Sequence, residues 1–452
     1  MNATKRSHAT IFAVVFGILV LTVSGIGSIH LPVSIFQVGR IVYNAGTILN
    51  GFQYDLKVNQ SGGLCYAWFA NNSLFQANPY SYSLISSIVS YLDTTGGGIV
   101  YFENGSYTSF EPWRITVPHI TLIAERGTIV DFSVNPKVPA YGIGVFADDV
   151  TVRGFVIQNR GAGIHAFDTE QTYLENNTIL NSWTGIILES CNNSQVISNT
   201  ISLTQGDGIY ITIDNVTNGT SSNIVVNYNT LLNIGDTGID FSEGSGHSTF
   251  YNAVVHHNVA YGYNAYTVST WAYPGFVSVC TEVYGFSIIN NTSYNGQNGI
   301  YIGGNNGIAR DNHVKDFVMY PYLIYDTHNF THGSGMSICG NNDAITNNTL
   351  IASNSSPLPL YDITIGSAEN VVIDSNNLFG SFICGIYNVR GINRITVTKN
   401  AIFSQDANSI WGIQAGRQVW DIENNRLTVN GKEGNAAINA PYCTVLNNIG
   451  YS

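Results

Sequence analysis

Short runs of alternating apolar and polar residues fill most of the chain beyond residue 96. Val150-Thr-Val-Arg, Gly185-Ile-Ile-Leu, Gly208-Ile-Tyr-Ile and Asn223-Ile-Val-Val are typical. Such runs are too short for helices, and their period-two alternation predicts strands with one buried face. They recur with fixed punctuation. An Asn followed two residues later by a mostly apolar residue stands at Asn177, Asn199, Asn229, Asn258, Asn348, Asn377, Asn400, Asn425 and Asn448, with Asn291 and Asn312 fitting more loosely. A second mark follows most of these, Gly-Ile at Gly163, Gly185, Gly208, Gly238, Gly299, Gly385 and Gly412, with Gly335-Met336 and Ala437-Ile438 as variants.

A unit of this size cannot bury its own apolar side, whereas stacked units can, each pairing its backbone with the unit above and below. The pattern therefore predicts an all-β chain wound into one parallel solenoid of about 11–13 coils. At a strand spacing of about 4.8 Å it makes a rod roughly 50–60 Å long. The repeated Asn has a structural role in this scheme. It tolerates the left-handed conformation of a sharp bend, and its amide can bond the next Asn along the stack.

The entry to the solenoid is distinctive. Leu84, Ile85, Ile88, Val89 and Leu92 fall at helical spacing within Ser83–Leu92, and Thr94-Thr-Gly-Gly-Gly-Ile-Val-Tyr-Phe-Glu-Asn-Gly-Ser-Tyr107 follows. A helix, a Gly-rich turn and a strand would cover the open first edge of the rod. On these residues the chain resembles the pectate-lyase-like superfamily of right-handed parallel β-helices, with Glu103 where that group usually has Pro. The resemblance spans about residues 80–450. It implies a right-handed parallel β-helix with an amino-terminal capping helix. That fold hosts lyases, hydrolases, epimerases, adhesins and phage spikes, so the resemblance speaks to architecture rather than to one activity.

Residues 1–29 read differently. Lys5 and Arg6 precede an apolar run from Ile11 to Val23, and no charge falls between Arg6 and Arg40. This describes either a signal peptide or a membrane-spanning signal anchor, and either places the rest of the chain outside the cytoplasm. The expected organisation is then a leader at 1–29, a linker and cap over 30–95 with a helix near 83–92, and the β-helix over 96–452. Two insertions, near 264–283 and 316–334, interrupt the rhythm. No cap is evident after the last coil, which leaves an edge for a partner or a second copy.

Composition narrows the partners. Charged residues are only 10% of 452, and 17 basic against 29 acidic side chains leave a net charge of −12. No basic surplus exists to displace phosphate counterions, which excludes an ordinary nucleic-acid binder. The chain has 52 Asn and 46 Gly. A surface of Asn, Ser, Thr and Tyr changes charge little with acidity, as an extracellular protein of an acidic habitat requires. Thirteen Asn-x-Ser/Thr sequons and six Cys, which would pair in an oxidising compartment or else serve as small buried apolar residues, are compatible with export.

Candidate chemistry gathers in two stretches, Gln205-Gly-Asp207-Gly and Ile234-Gly-Asp236-Thr-Gly-Ile-Asp240-Phe-Ser-Glu243-Gly-Ser-Gly-His247. Asp207 and Asp236 fall on neighbouring coils, offset by one residue. Paired carboxyls push their proton affinities apart, which supplies an acid and a base. The catalytic candidates are Asp207, Asp236, Asp240 and His247. The competing use of these Asp residues is turn chemistry, since Asp beside Gly commonly bonds backbone amides. A partial resemblance to family-28 polygalacturonases rests on Asp207, Asp236, Gly246-His247-Ser248 and Arg394-Ile-Thr, and implies a glycoside hydrolase. No cofactor is required by this chemistry; calcium held by Asp207, Asp236, Asp240 and Glu243 is the alternative that a lyase would need.

Counting from Gly-Ile, the inward residues are followed by an outward column of His165, Ile187, Tyr210, Asp240 and Tyr301. Tyr offers an apolar face and a hydroxyl, which suits a sugar. His165, Tyr210 and Tyr301, with Trp271 and Tyr325 from the insertions, are the substrate-binding candidates, and a polysaccharide is the expected ligand. Asp326, His328 and His332 form a candidate metal set on the second insertion. A non-catalytic adhesin, sheath or virion fibre is the alternative to a hydrolase.

Overall fold

The computed structural model describes residues 47–49, 52–134, 140–159, 161–213, 219–243, 248–263, 275–296, 298–317, 334–353, 361–389, 394–416 and 419–450. The leader expected at 1–29 lies outside them. Among the described residues no helix is long and apolar enough to cross a membrane.

The coils contribute strands to three long parallel sheets, and three of them add a short fourth strand, Thr220–Ser222, Thr249–Tyr251 and Val283–Tyr284, which pair with one another. In the coil of the first Asn the strands of the long sheets are Tyr173–Glu175 on the first face, Thr178–Leu180 on the second and Ile186–Glu189 on the third. Strands pair in register with their counterparts one coil away, for example Ile186 with Ile164 and Ile209, with a register shift between Lys315 and Phe317. The third face runs through thirteen strands from Trp113–Ile115 to Ile438–Asn439. The expected solenoid of parallel coils is therefore what the chain forms.

The core is the stack of inward side chains. On the third face Ile164, Ile186, Ile209, Ile239, Val277 and Ile300 are essentially inaccessible to solvent. The glycine of the Gly-Ile mark has a steric cause. A Cβ on Gly185 would stand 2.5 Å from Ile201 Cγ2, so the corner closes only without a side chain. Some coils depart from the rule, among them those of Phe276 and Asp362. Asp362 occupies this register, level with Gly335 and Gly385, and is fully buried with no hydrogen-bond partner for either carboxylate oxygen.

The Asn ladder is continuous between the first and second faces. It runs through Asn177, Asn199, Asn229, Asn258, Asn291, Asn312, Asn348, Asn376, Asn400, Asn425 and Asn448. Asn199 is representative. Its backbone N–H donates to Asn229 Oδ1 at 2.9 Å, and its amide nitrogen donates to Asn229 Oδ1 at 3.1 Å and to the Leu174 carbonyl at 2.8 Å. Asn291 and Asn312 are full members, and Asn376 takes the place assigned above to Asn377, which instead begins a second-face strand. The left-handed bend is not made by the ladder residue. It falls one residue earlier, at Asn176, Ser198, Tyr228, His257, Asn290, Asp311, Asn347, Ser375, Lys399, Asn424 and Asn447, all with φ between 53° and 58°.

The amino-terminal cap is larger than the helix. The helix spans Ser81–Thr95, buries Leu84, Ile85, Ile88, Val89 and Leu92, and stops at a left-handed Gly96 whose N–H bonds the Leu92 carbonyl. The preceding segment, expected to be a linker, holds an antiparallel meander of Leu56–Ser61, Leu64–Phe69 and Leu74–Asn78. Leu56–Ser61 also pairs in parallel with Gly98–Phe102, which joins the cap to the first face. At the other end the second face turns back on itself through Lys432–Glu433, antiparallel to Arg426–Val429. None of the six Cys, at 65, 191, 280, 339, 384 and 443, is paired with another in a disulfide, and Cys65, Cys191 and Cys384 are buried.

Candidate active site

The outward column of the third face is in register over its whole length. Reading along the rod it is Arg114, Gly144, His165, Ile187, Tyr210, Asp240, Ser278, Tyr301, Ser337, Thr364, Tyr387, Gln414 and Asn439. Tyr210 and Asp240 are immediate neighbours. Tyr301 lies one coil beyond Ser278, a member missed by the sequence pattern because Gly275–Val279 carries Phe276 where most coils have the Gly of Gly-Ile. That strand also falls inside the stretch 264–283 read above as an insertion; only 264–274 interrupts the described fold. Likewise Asp316 and Phe317 end one strand and Ser334 begins another, around 318–333. Both interruptions fall in the sequence between a second-face strand and the third-face strand that follows it.

Asp207 and Asp236 sit at this same corner. Asp207 is level with Thr237, whose N–H donates to Asp207 Oδ1 at 3.1 Å, and the Asp236 N–H donates to the Gly206 carbonyl at 3.1 Å. The offset of one residue predicted from the spacing is therefore present, and part of the turn chemistry as well. Asp240 follows four residues after Asp236, on the strand itself. Asp207 feels the charges of the other two, and Asp240 feels that of Asp236. Burial pushes Asp207 well above the usual carboxylate range, and the nearby charges of Asp240 and Asp236 push it further, against the bond from Thr237. Burial pushes Asp236 up to about 6. Burial pushes Asp240 up to about 7, with a hydrogen bond from Ser278 pulling the other way and Asp236 adding to the rise. Three interacting carboxyls with raised proton affinity can hold a proton on one member and a charge on another at neutral pH, as acid–base chemistry requires.

Other expected residues are placed elsewhere. His165 stands three coils from Asp240, and its Nε2 lies 2.9 Å from Glu189 Oε2. His247, Trp271, Tyr325, Asp326, His328 and His332, and the side chain of Glu243, lie outside the described residues. Among the described residues no group of three or more His, Cys, Asp or Glu side chains is arranged to hold a metal ion. Calcium on Asp207, Asp236 and Asp240 has no support in that arrangement.

One residue of the site was not singled out from the sequence. Trp183, 55% exposed, lies on the coil before Asp207, and its carbonyl accepts the Gly206 N–H at 2.7 Å. Its indole nitrogen lies 3.4 Å from where a Gly206 Cβ would stand, which places the ring against the residue before Asp207. The available signal was a Trp two residues before a Gly-Ile mark, at a corner where alternation says nothing about direction.

A family description of right handed beta helix regions matches residues 120–273. No curated protein matches the sequence. Among solved structures, the chain is similar to DFA-IIIase from Arthrobacter chlorophenolicus A6, at 11% identity and a TM-score of 0.54 over 71% of this chain and 91% of that one. The same enzyme in complex with GF2 matches at 12% identity and a TM-score of 0.51, over 71% and 90%. The A-module of the mannuronan C-5 epimerase AlgE6 from Azotobacter vinelandii matches at 16% identity and a TM-score of 0.48, over 82% and 96%. Identities this low speak to the fold, and on that ground the chain is a right-handed parallel β-helix protein of no single activity family.

Proposed function

We propose that the protein is an exported glycan-binding β-helix enzyme that hydrolyses a glycosidic bond over Asp207, Asp236 and Asp240. The observation that carries this reading is the meeting of three proton-avid carboxyls at one corner, beside Tyr210 and an exposed Trp183. Asp207, held protonated by burial and by its acidic neighbours, is the general acid that gives its proton to the leaving oxygen. Asp236, with the lowest affinity for a proton of the two whose values are set, near 6 against 7 for Asp240, is the base that draws a proton from water. Asp240 tunes both. Likeness of fold to an enzyme solved with GF2 bound agrees with a sugar as ligand.

Charge sets the class of glycan. Between Arg160 and Arg310 the chain has no Lys or Arg, yet it has ten Asp and Glu, and this interval contains every coil around the three acids. A uronate carboxylate would meet no counter-charge there, and proton abstraction beside it would have no stabilising cation. The substrate is therefore an uncharged glycan, and hydrolysis is favoured over elimination.

Reducing-sugar release from a panel of uncharged glycans (fructans, xylans, mannans, glucans) and of uronans, with and without calcium, tests this. We expect turnover on an uncharged member alone, rising with pH near 6 as Asp236 ionises and falling as Asp207 loses its proton. Asp236→Asn should reduce kcat at least a hundredfold and leave binding in place. Glycan binding without turnover in the wild type would leave the adhesin reading, and turnover confined to uronans would overturn the charge argument.

A further inference from the structure

Resting on that reading, we propose that the amino-terminal end of the third face is a distal subsite, which holds an uncharged sugar unit of the same glycan chain. Its centre is Gly144. A Cβ there would stand 2.5 Å from Tyr141 Cε2 and 2.5 Å from Phe146 Cε2, so the missing side chain is what lets the two rings close over the sheet. They meet edge to face with centroids 5.6 Å apart. Phe167, 40% exposed, continues the surface at 6.5 Å from Phe146. His165 forms its floor, 5.8 Å from the Tyr141 ring and 6.3 Å from Phe167.

Polar groups stand at the edge of these rings. His165 and Glu189 are 2.9 Å apart with side chains 19% and 13% accessible, so the imidazole is held in one orientation by a mostly buried partner. The Arg114 guanidinium lies 4.9 Å over Phe146, the lone Lys or Arg in the described strands of the third face. A sugar ring has a C–H-rich face and a rim of hydroxyls. Aromatic rings take the first, and an imidazole, a carboxylate and a guanidinium take the second.

The position of this platform links it to the acids. His165 and Asp240 share one column and are separated by Ile187 and Tyr210, about 14 Å at the usual strand spacing. Trp183 stands on the corner of the intervening coil. A glycan cleaved at Asp207 and Asp236 and laid along the rod toward its capped end reaches the platform a few sugar units away. Short oligosaccharides do not.

The experiment compares wild type, Phe167→Ala and Gly144→Val for binding and turnover of the fructan, xylan, mannan and glucan oligosaccharides, from dimers to octamers. Gly144→Val moves the rings without removing one, and circular dichroism establishes that each variant is folded. We expect kcat/KM to climb with length in the wild type. In both variants the longer oligomers should lose roughly tenfold in affinity while the dimers and trimers are unchanged. Equal loss at every length, or no loss at any, would overturn the distal subsite and leave the hydrolase reading intact. A wild type that binds none of the oligomers would overturn both, and loss of turnover in Asp236→Asn beside an unaltered Phe167→Ala would separate them.

Discussion

A single ladder side chain replaces three backbone-directed contacts that no water could make inside the rod. Asn229 is fully buried, donates from its own N–H and amide to Asn258 Oδ1, and bonds the Val196 carbonyl at 2.8 Å. Asn229→Ala removes the amide, which strands the Val196 carbonyl and the Asn199 N–H. Four hydrogen bonds go with it, two accepted from Asn199 and two donated to Val196 and Asn258; at about 1 kcal/mol for each the cost is about 4 kcal/mol, read as a fall in the denaturant midpoint. The ladder is legible in the sequence because burial forces one residue type at one register. The bend is not, because it falls on an exposed neighbour where Ser, Tyr, His, Lys and Asp all serve. That split is why Asn377 was read for Asn376: in Asn376-Asn377-Leu378 both residues are Asn, and only burial tells them apart.

At the scale of elements, the cap helix is the piece whose loss exposes the most. Ile88 lies on its buried side, against the first coils. Ile88→Ala should cost about 3 kcal/mol and loosen the helix before the rod, which uncovers the first strand edge. Light scattering on gentle heating should then show aggregation below the temperature at which the β signal is lost. The helix itself was legible from its spacing. The meander before it was not: Leu56 and Val58 alternate correctly, but a strand outside the repeat is recognisable only by its partner, and Leu56–Ser61 pairs with Gly98–Phe102 more than 40 residues on. The site shows the same division. Asp207, Asp236 and Asp240 were legible from their offset to Gly-Ile. His165 shares their column yet stands three coils away, because a shared face says nothing about distance along the axis.

For the molecule as a whole, buried acids set the response to pH. Asp207, Asp236, Asp240, Asp343 and Asp362 all have raised proton affinity, chiefly through burial. A carboxyl whose folded pKa exceeds its unfolded value near 3.9 binds its proton more tightly in the native state. Its contribution is fully present below that unfolded value and is lost as pH rises through the folded one. Stability should therefore fall between about pH 4 and pH 8, and Tm should be higher at pH 5 than at pH 8. Asp362→Asn should flatten this slope, because Asp362 has no hydrogen bond to set against its burial. A Tm that rises with pH across this range would contradict the account, and with it the acidic habitat inferred from composition.

The direction of the hydrogen bonds has a mechanical consequence. In all three sheets they run from coil to coil, parallel to the axis of the rod. Tension applied at the two ends thus opens them one after another, like a zip, and does not shear a whole strand at once. Each coil that yields sets free the residues between two rungs, from 21 between Asn291 and Asn312 to 36 between Asn312 and Asn348. Extended, these segments measure roughly 75–130 Å. Under load the protein lengthens in a staircase of unequal treads, whose order repeats the order of the coils along the chain.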